Sequence, residues 1–225
     1  MKKAKIAIQG ELGAYSHIAA NNLFKDAEIK TCSTFEETFK KAYEDESYKI
    51  IIPIENSLAG RVADIHYLLP KYKLQIHGEY FLNVEHNLLC KPDADIGDIK
   101  FVRSHAQAIG QCQKIINKNK FQPIISADTA GSAKELAEGN DKSIAAIASD
   151  LSAKIYKLKI LEKNIEDEKG NVTRFLIMAK NIEQPEFIKE KKFITSCIFR
   201  VKSEPSALYK CLGGFATNQV NLTKL

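Results

Sequence analysis

The chain has no cysteine pair at Cys-x-x-Cys spacing. Its five cysteines (Cys32, Cys90, Cys112, Cys197 and Cys211) are scattered and odd in number, which argues against a zinc site or a disulfide frame and fits reduced core thiols. Histidines at ligand spacing are missing too, because His17, His66, His77, His86 and His105 are dispersed, so no metal is expected. No apolar run is long enough to cross a bilayer. The stretch behind Met1-Lys2-Lys3 breaks at Gln9-Gly10, too early for a signal peptide. A clustered basic face is lacking as well. The net charge of +5 is spread along the chain, which speaks against nucleic acid but leaves a mild preference for a small anion. These absences lead to the expectation of a soluble cytoplasmic protein with neither membrane nor nucleic acid as partner.

What is present is an ordinary globular composition, 44% hydrophobic and 27% charged over 225 residues. That is enough for one large domain, or a two-lobed one with an appendage. Strands and helices alternate in the first half. Lys5 to Gln9 reads as a strand, and Ser16 as the cap of a helix carrying Ala19, Ala20, Leu23 and Phe24. Thr34 and Glu37 have capping-box spacing ahead of Phe35, Phe39 and Ala42. Lys49 to Ile54 is the next strand, with Ile50-Ile51-Ile52 as a buried parallel run. Val62, Ile65 and Leu69 then keep helical spacing until Pro70 ends it.

Tyr72 to Cys90 reads as extended chain crossing between lobes. A second α/β set comes next. Phe101-Val102 is a short strand, and Ser104 caps a helix with Ile109, Cys112 and Ile116. Phe121 to Ser126 is a strand, and Asp128 or Thr129 opens a helix with Ala130, Ala133 and Leu136. Ser143 to Ala148 is a strand, with Asp150 capping the helix behind it. Lys159 to Glu162 and Arg174 to Ala179 read as strands returning to the first lobe. The expected fold is α/β and two-lobed, like a periplasmic binding protein, with the ligand between the lobes. One lobe takes 1–77 and 155–181 and the other 78–154. A linker is expected over 182–192, since Pro185 sits in a polar stretch. Beyond it, Phe193 to Val201 reads as a strand. Pro205 opens a helix with Ala207, Leu208 and Leu212 that Gly213-Gly214 stops, and a further strand begins at Val220-Asn221-Leu222. Such a strand–helix–strand start is half a domain, so the natural protein is expected to be longer or this to be a fragment.

Four polar clusters fall at these strand ends and helix starts: Gly10 to Ser16, Glu55 to Gly60, Ser104 to Gln107, and Thr173-Arg174. Singly, each has a plain structural reading. Ser16, Ser104 and Asp128 serve as caps, Glu55-Asn56 closes a turn, Thr173-Arg174 are strand-edge residues ahead of Phe175-Leu176-Ile177, and His105 is a solvent-facing side chain or a proton donor. Together they offer hydroxyls, amides, a carboxylate, a guanidinium able to clamp a carboxylate and several helix N-termini. Such a set suits a small, oxygen-rich carboxylic acid.

Five ordered motifs carry a resemblance to the prephenate dehydratases. They are Gly10-Glu-Leu-Gly-Ala-Tyr-Ser16-His, Pro53-Ile-Glu-Asn-Ser-Leu-Ala-Gly-Arg-Val62, Ser104-His-Ala-Gln107-Ala, Asp128-Thr-Ala-Gly131 and Asn171-Val-Thr-Arg-Phe175. The tail from Ser206 to Leu225 resembles the start of the ferredoxin-like α+β ACT domain of that family, truncated here. Tyr15 and Ser206 depart from the residues usual there.

The resemblance implies conversion of prephenate to phenylpyruvate with loss of carbon dioxide and water, in phenylalanine biosynthesis. Aromatisation drives that reaction, so no cofactor is expected. It implies Thr173 as the catalytic residue, helping the hydroxyl to leave by electrostatic stabilisation rather than as a free acid. Asn56, Ser57, Gly60, Ser104, Gln107, Thr129, Arg174 and Phe175 would hold the dianion, Arg174 orienting a carboxylate or Thr173 itself. Glu55 and His105 are candidate relays, and Glu55 must be protonated or turned away from a dianion. Ala207, Leu208, Asn221, Leu222 and Thr223 would face an L-phenylalanine effector, and a homodimer or homotetramer is implied. Arogenate as substrate, or a two-lobed module that binds small carboxylates without catalysis, are the rival readings.

Overall fold

Apolar runs without polar alternation need both faces covered, and two such runs sit at the centre of the fold. Lys5–Gln9 (β1) buries Ile6, Ala7 and Ile8 completely, and Tyr48–Asn56 (β3) does so with Ile50, Ile51 and Ile52. The computed structural model describes residues 3–181, 186, 188–190 and 193–223. The chain divides into two compact units, Met1–Pro185 and Glu186–Leu225.

The first unit holds two α/β lobes, each with its own sheet. Around β1 and β3 the first lobe adds Tyr15–Leu23 (α1), Glu28–Cys32 (β2), Phe35–Glu44 (α2), Gly60–Arg61 (β4), Ala63–Tyr72 (α3) and Gln75–Asn83 (β5). The second has Asn87–Cys90 (β6), Phe101–His105 (β7), Ala106–Gln111 (α4), Gln113–Asn119 (α5) and Gln122–Ser126 (β8). It continues with Thr129–Glu138 (α6), Ile144–Ala148 (β9), Asp150–Tyr156 (α7) and Lys159–Glu162 (β10). Val172–Ala179 (β11) then returns to the first sheet, whose order is β2-β1-β3-β11-β5 with β4 paired to β3. The second sheet runs β10-β6-β9-β7-β8. Each lobe is thus a parallel β-α-β-α-β set with its first strand in the middle, extended by antiparallel strands from the crossing segments. That is the two-lobed α/β architecture expected from the sequence.

Several boundaries differ from expectation. β5 stays in the first sheet, pairing along its length with β11, so the chain crosses at residues 84–86 and not at 77. Likewise β10 pairs with β6 in the second sheet. The return crossing is therefore 163–171, not 154, because an extended apolar run does not say which sheet it will join. β2 went unread because its pattern is mostly exposed, as suits an edge strand. Ser16 lies inside α1, which starts at Tyr15 behind Ala14. Ser104 is inside β7, and His105 caps α4 by accepting from the Gln107 N–H at 3.3 Å. Ser149, not Asp150, caps α7. The helix read from Ser104 through Ile116 breaks at Cys112. α3 runs through Pro70 to Tyr72, since a proline this near the end removes only one helical bond. Thr34 and Asp128 do cap α2 and α6, accepting from Glu37 N at 3.1 Å and Gly131 N at 2.6 Å.

Among its described residues the second unit contains one helix, Ala207–Thr217 (α8), with no buried residue. It runs through Gly213-Gly214 and ends at Asn218, whose N–H bonds to the Gly214 carbonyl at 3.3 Å. Pro205 precedes the cap residue Ser206, which sits at φ 65°. The strands expected over Phe193–Val201 and from Val220 do not form among the described residues. A strand needs a laddered partner, and Ile194 and Ile198 remain exposed. Residues 182–185, 187, 191 and 192 of the expected linker lie outside the described residues.

Candidate active site

Alternation along β11 sends Thr173, Phe175 and Ile177 to one face of the first sheet, and Arg174, Leu176 and Met178 to the other. Phe175 and Ile177 pack against Ile51, Ala19 and Ala20 beneath α1, while Leu176 and Met178 pack with Ile50, Ile52, Phe39 and Ile65 beneath α2 and α3. β3 would put Asn56 on the second of these faces if its alternation ran unbroken. It does not. Arg174 pairs with Glu55 but Phe175 with Pro53, so Ile54 is an extra residue in β3. Such a bulge redirects the side chains beyond it, and it brings Asn56 opposite Thr173. Pro53 beside it fits a position where ladder bonding is interrupted.

The Asn56 carboxamide is fixed by its surroundings. Its Oδ1 accepts the backbone N–H groups of Leu58 and Ala59 at 3.0 and 2.8 Å. Its Nδ2 must then donate, and does so to Asn171 Oδ1 at 2.6 Å and Thr173 Oγ1 at 2.9 Å. With its oxygen engaged, Asn171 presents Nδ2 to Gln111 Oε1 at 2.8 Å. That oxygen also faces His86 Nε2 at 3.0 Å, so the imidazole donates from Nε2. Nδ1 is left as an acceptor 2.8 Å from the Tyr15 hydroxyl, whose single proton is donated to the Glu85 carbonyl at 2.8 Å and shared with Nδ1. Two backbone N–H groups therefore set the direction of every bond from Thr173 to His86. Burial agrees with this polarity. It lowers the His86 pKa from its ordinary range and raises that of Tyr15, keeping both groups neutral. Thr173 is 8% exposed. Because its oxygen accepts from Asn56, its own proton is aimed elsewhere.

The opposite face is ionic. Arg174 Nε and Nη2 meet Glu79 Oε2 at 2.7 and 2.6 Å, and Nη1 meets Glu55 Oε1 at 3.4 Å. Arg174 and Glu55 were expected beside the substrate. They face away from Thr173, and the guanidinium is taken by two carboxylates. Ser104 is fully buried with its hydroxyl on the Ile147 carbonyl at 2.7 Å, and Phe175 is core. Ser57 braces the junction, donating to Gly170 O and accepting from Val172 N, both at 2.9 Å. Gly60 turns the β3–β4 hairpin at φ 80° opposite Asn56. His105, Gln107 and Thr129 sit at the carboxyl ends of β7 and β8. Of the residues singled out from the sequence, the structure brings together Thr173 and Asn56. Asn171, Gln111, His86 and Tyr15 complete the set. Composition gave no sign of them, and only the Tyr15 and Asn171 motifs carried a trace.

The loop after β1 clamps the lobes together. Its Gly13 carbonyl accepts from Ser149 Oγ at 2.6 Å and Ser152 Oγ at 3.1 Å, and the Leu12 carbonyl accepts from the Tyr156 hydroxyl at 2.9 Å. Gly13 has φ 94°, and a Cβ there would lie 2.8 Å from the Ser152 backbone, so no other residue fits. A cavity of about 340 Å³ on this lobe boundary is lined by Tyr15, Tyr80, Leu82, Asn83, Ser149 and Asp150. A second, of about 480 Å³, is bordered by Glu36, Lys40 and Tyr72 on the α2–α3 side. Among the described residues no cluster is suited to hold a metal ion, and no helix is long and apolar enough to cross a membrane.

The family model described as prephenate dehydratase matches residues 6–183. The chain is 40% identical over 222 residues to a protein of Komagataeibacter europaeus named bifunctional N-acyl-homoserine lactone acylase/prephenate dehydratase, covering 98% of this chain and 78% of that one. It is 38% identical to arogenate dehydratase/prephenate dehydratase 2, chloroplastic, of Arabidopsis thaliana, covering 99% of this chain and 58% of the relative. Among solved structures, one described as a novel type of quorum quenching acylase superposes at TM-score 0.83 with 37% identity, covering 98% and 80% of the two chains. The prephenate dehydratase of Arthrobacter aurescens in complex with L-Phe gives TM-score 0.84 at 24% identity, covering 98% and 74%, and shares the fold.

Proposed function

The chain belongs to the prephenate dehydratase family, and we propose that its first unit converts prephenate to phenylpyruvate. In that reaction the bond from the ring to its carboxylate breaks, and the electron pair enters the ring. The C–O bond at the far ring carbon breaks with its pair on oxygen. A proton makes that oxygen water, and carbon dioxide leaves. Aromatisation supplies the driving force. The protein must hold the dianion and stabilise the charge that grows on the departing oxygen.

One observation carries the assignment: Thr173 Oγ1 accepts from an Asn56 amide whose orientation is locked by two backbone N–H groups. A hydroxyl polarised this way is a stronger donor, and its proton is free to meet the leaving oxygen. Threonine is a poor acid, so Thr173 acts as a hydrogen-bond donor to developing charge, with solvent as the eventual proton source. We assign contacts with substrate oxygens from the second lobe to Gln107 and Thr129, and keep His105 as a candidate relay. We assign no substrate contact to Arg174, Glu55 or Ser104, whose groups serve the scaffold. L-Phenylalanine as an effector at Ala207, Leu208, Asn221, Leu222 and Thr223, a homodimeric or homotetrameric assembly and a cytoplasmic location belong to the same proposal.

The test is a product assay with the full chain. Prephenate should yield phenylpyruvate, seen by its absorbance in alkali. Faster formation of phenylalanine from arogenate would make arogenate the substrate. Binding of either acid with no product would reduce the protein to a binding module.

A further inference from the structure

His86 is a buried imidazole that the reaction does not touch, yet both its ring nitrogens are engaged and one of them leads to Thr173 in four bonds. Its backbone N–H is held by Glu166 Oε2 at 3.0 Å, and the Tyr15 ring meets it edge-on at 5.6 Å and 76°. The residue is thus fixed at three points. Gln111 Oε1 has two donors, His86 Nε2 and Asn171 Nδ2. A carboxamide can flip to exchange its oxygen and nitrogen. If Gln111 flipped, its NH₂ would oppose the Asn171 NH₂, and the carboxamide chain to Asn56 and Thr173 would lose its shared direction. The Nε2–H of His86 opposes that flip.

We propose that His86, oriented by Tyr15, is a positioning residue for the reaction at Thr173. Its Nε2–H tautomer holds Gln111 in the one orientation that lets Asn171 and Asn56 present their N–H groups as observed. Carboxamides do not carry protons along such a chain, so the device fixes hydrogen-bond direction and is no proton wire. The inference rests on the proposed dehydratase reading, and its two tests separate the two claims.

The first needs no turnover. In the full chain carrying ¹⁵N-histidine, long-range ¹H–¹⁵N correlation should show His86 at neutral pH with Nε2 protonated and Nδ1 bare. A protonated Nδ1 would overturn the proposal. The second compares His86→Leu with His86→Gln, whose amide can replace the Nε2 donor. His86→Leu should lower kcat roughly 10- to 100-fold with KM nearly unchanged, the size expected when a reacting group is misplaced. His86→Gln should recover most of that loss. Equal losses in the two variants, or full kcat in His86→Leu, would overturn the proposal. If His86→Leu fails to fold, Tyr15→Phe keeps the ring and removes the hydroxyl. It should raise the Nδ1-protonated fraction in the same spectrum and lower kcat, and no change in either would overturn the proposal. A wild-type chain with no turnover on prephenate or arogenate would instead remove the dehydratase reading, leaving the tautomer result to stand on its own.

Discussion

Thr173 and Arg174 are neighbours in sequence, yet they face opposite sides of one sheet and live in different physics. On the Thr173 side every polar group from Asn56 to Tyr15 is neutral, and each bond from Thr173 to His86 has a defined donor. On the Arg174 side one guanidinium meets two carboxylates. An ion pair attracts whatever the detailed orientation, whereas a chain of amides works only if each one points the right way. The first suits a brace for strands β3, β11 and β5, and the second suits a site where one proton must be aimed. The difference teaches that the bulge at Ile54 is the feature separating chemistry from scaffold, because it alone puts Asn56 with Thr173 and Glu55 with Arg174.

The largest effect that tests this contrast is on Thr173. Thr173→Ala should cut kcat by about 10²- to 10³-fold, the usual cost of one donor aimed at developing charge, while the melting temperature moves by little. Thr173→Ser keeps the hydroxyl and should retain most of the activity. Near-normal turnover in the alanine variant, measured on folded protein, would end the division of labour between the faces.

Arg174 should show the reverse. Arg174→Met leaves Glu55 and Glu79 facing each other across a partly buried space. Breaking a buried pair costs about 3–5 kcal/mol; with the Arg174 side chain 17% and Glu79 30% exposed, about 1–3 kcal/mol is expected here after screening. Urea unfolding would measure it, and adding Glu55→Gln with Glu79→Gln should restore part of the loss. Turnover at saturating prephenate should stay within a few-fold. A collapse of kcat at unchanged stability would return Arg174 to the substrate, as the family resemblance implied.

How far the sequence revealed all this divides along the same line. Ile50-Ile51-Ile52 and Ile6-Ala7-Ile8 announced core strands because burial on both faces leaves a continuous apolar run. Thr34 and Asp128 announced helix starts because capping needs a particular side chain at one position. The site was half legible. Asn56 and Thr173 stand in recognisable motifs, but which of Thr173 and Arg174 shares a face with Asn56 depends on one extra residue at Ile54, and period-two reasoning has no means of seeing a bulge. Gln111 and His86 were invisible for a different reason. Their role comes from contacts made across 60 and 25 residues of chain, and nothing local distinguishes a bridging glutamine from a surface one. Ser104 and Ser149 show the limit of cap reading: adjacent polar residues compete for the position, and the backbone decides.

The smallest effect concerns pH, and it should separate the faces once more. In the unfolded chain His86 titrates near its ordinary value of about 6.5; in the folded protein burial lowers it. Below about pH 6.5 the unfolded state takes up a proton that the folded one refuses, so stability is fully present above that pH and falls as pH drops toward the folded value. The loss per group is at most about 1.4 kcal/mol per pH unit. His17 and His77 are also lowered by burial, and they add to the slope. Replacing His86 by glutamine should therefore flatten the fall in urea midpoint between pH 7.5 and 5 without abolishing it. Arg174→Met combined with Glu55→Gln and Glu79→Gln, which leaves no facing carboxylates to titrate, should shift the whole curve and leave its slope in that window nearly unchanged. If His86→Gln kept the full wild-type slope, His86 would be charging as readily in the folded protein as in the unfolded one. An imidazolium there would protonate Nδ1 and turn the Tyr15 bond around, and the wholly neutral character of the Thr173 face would have to be given up.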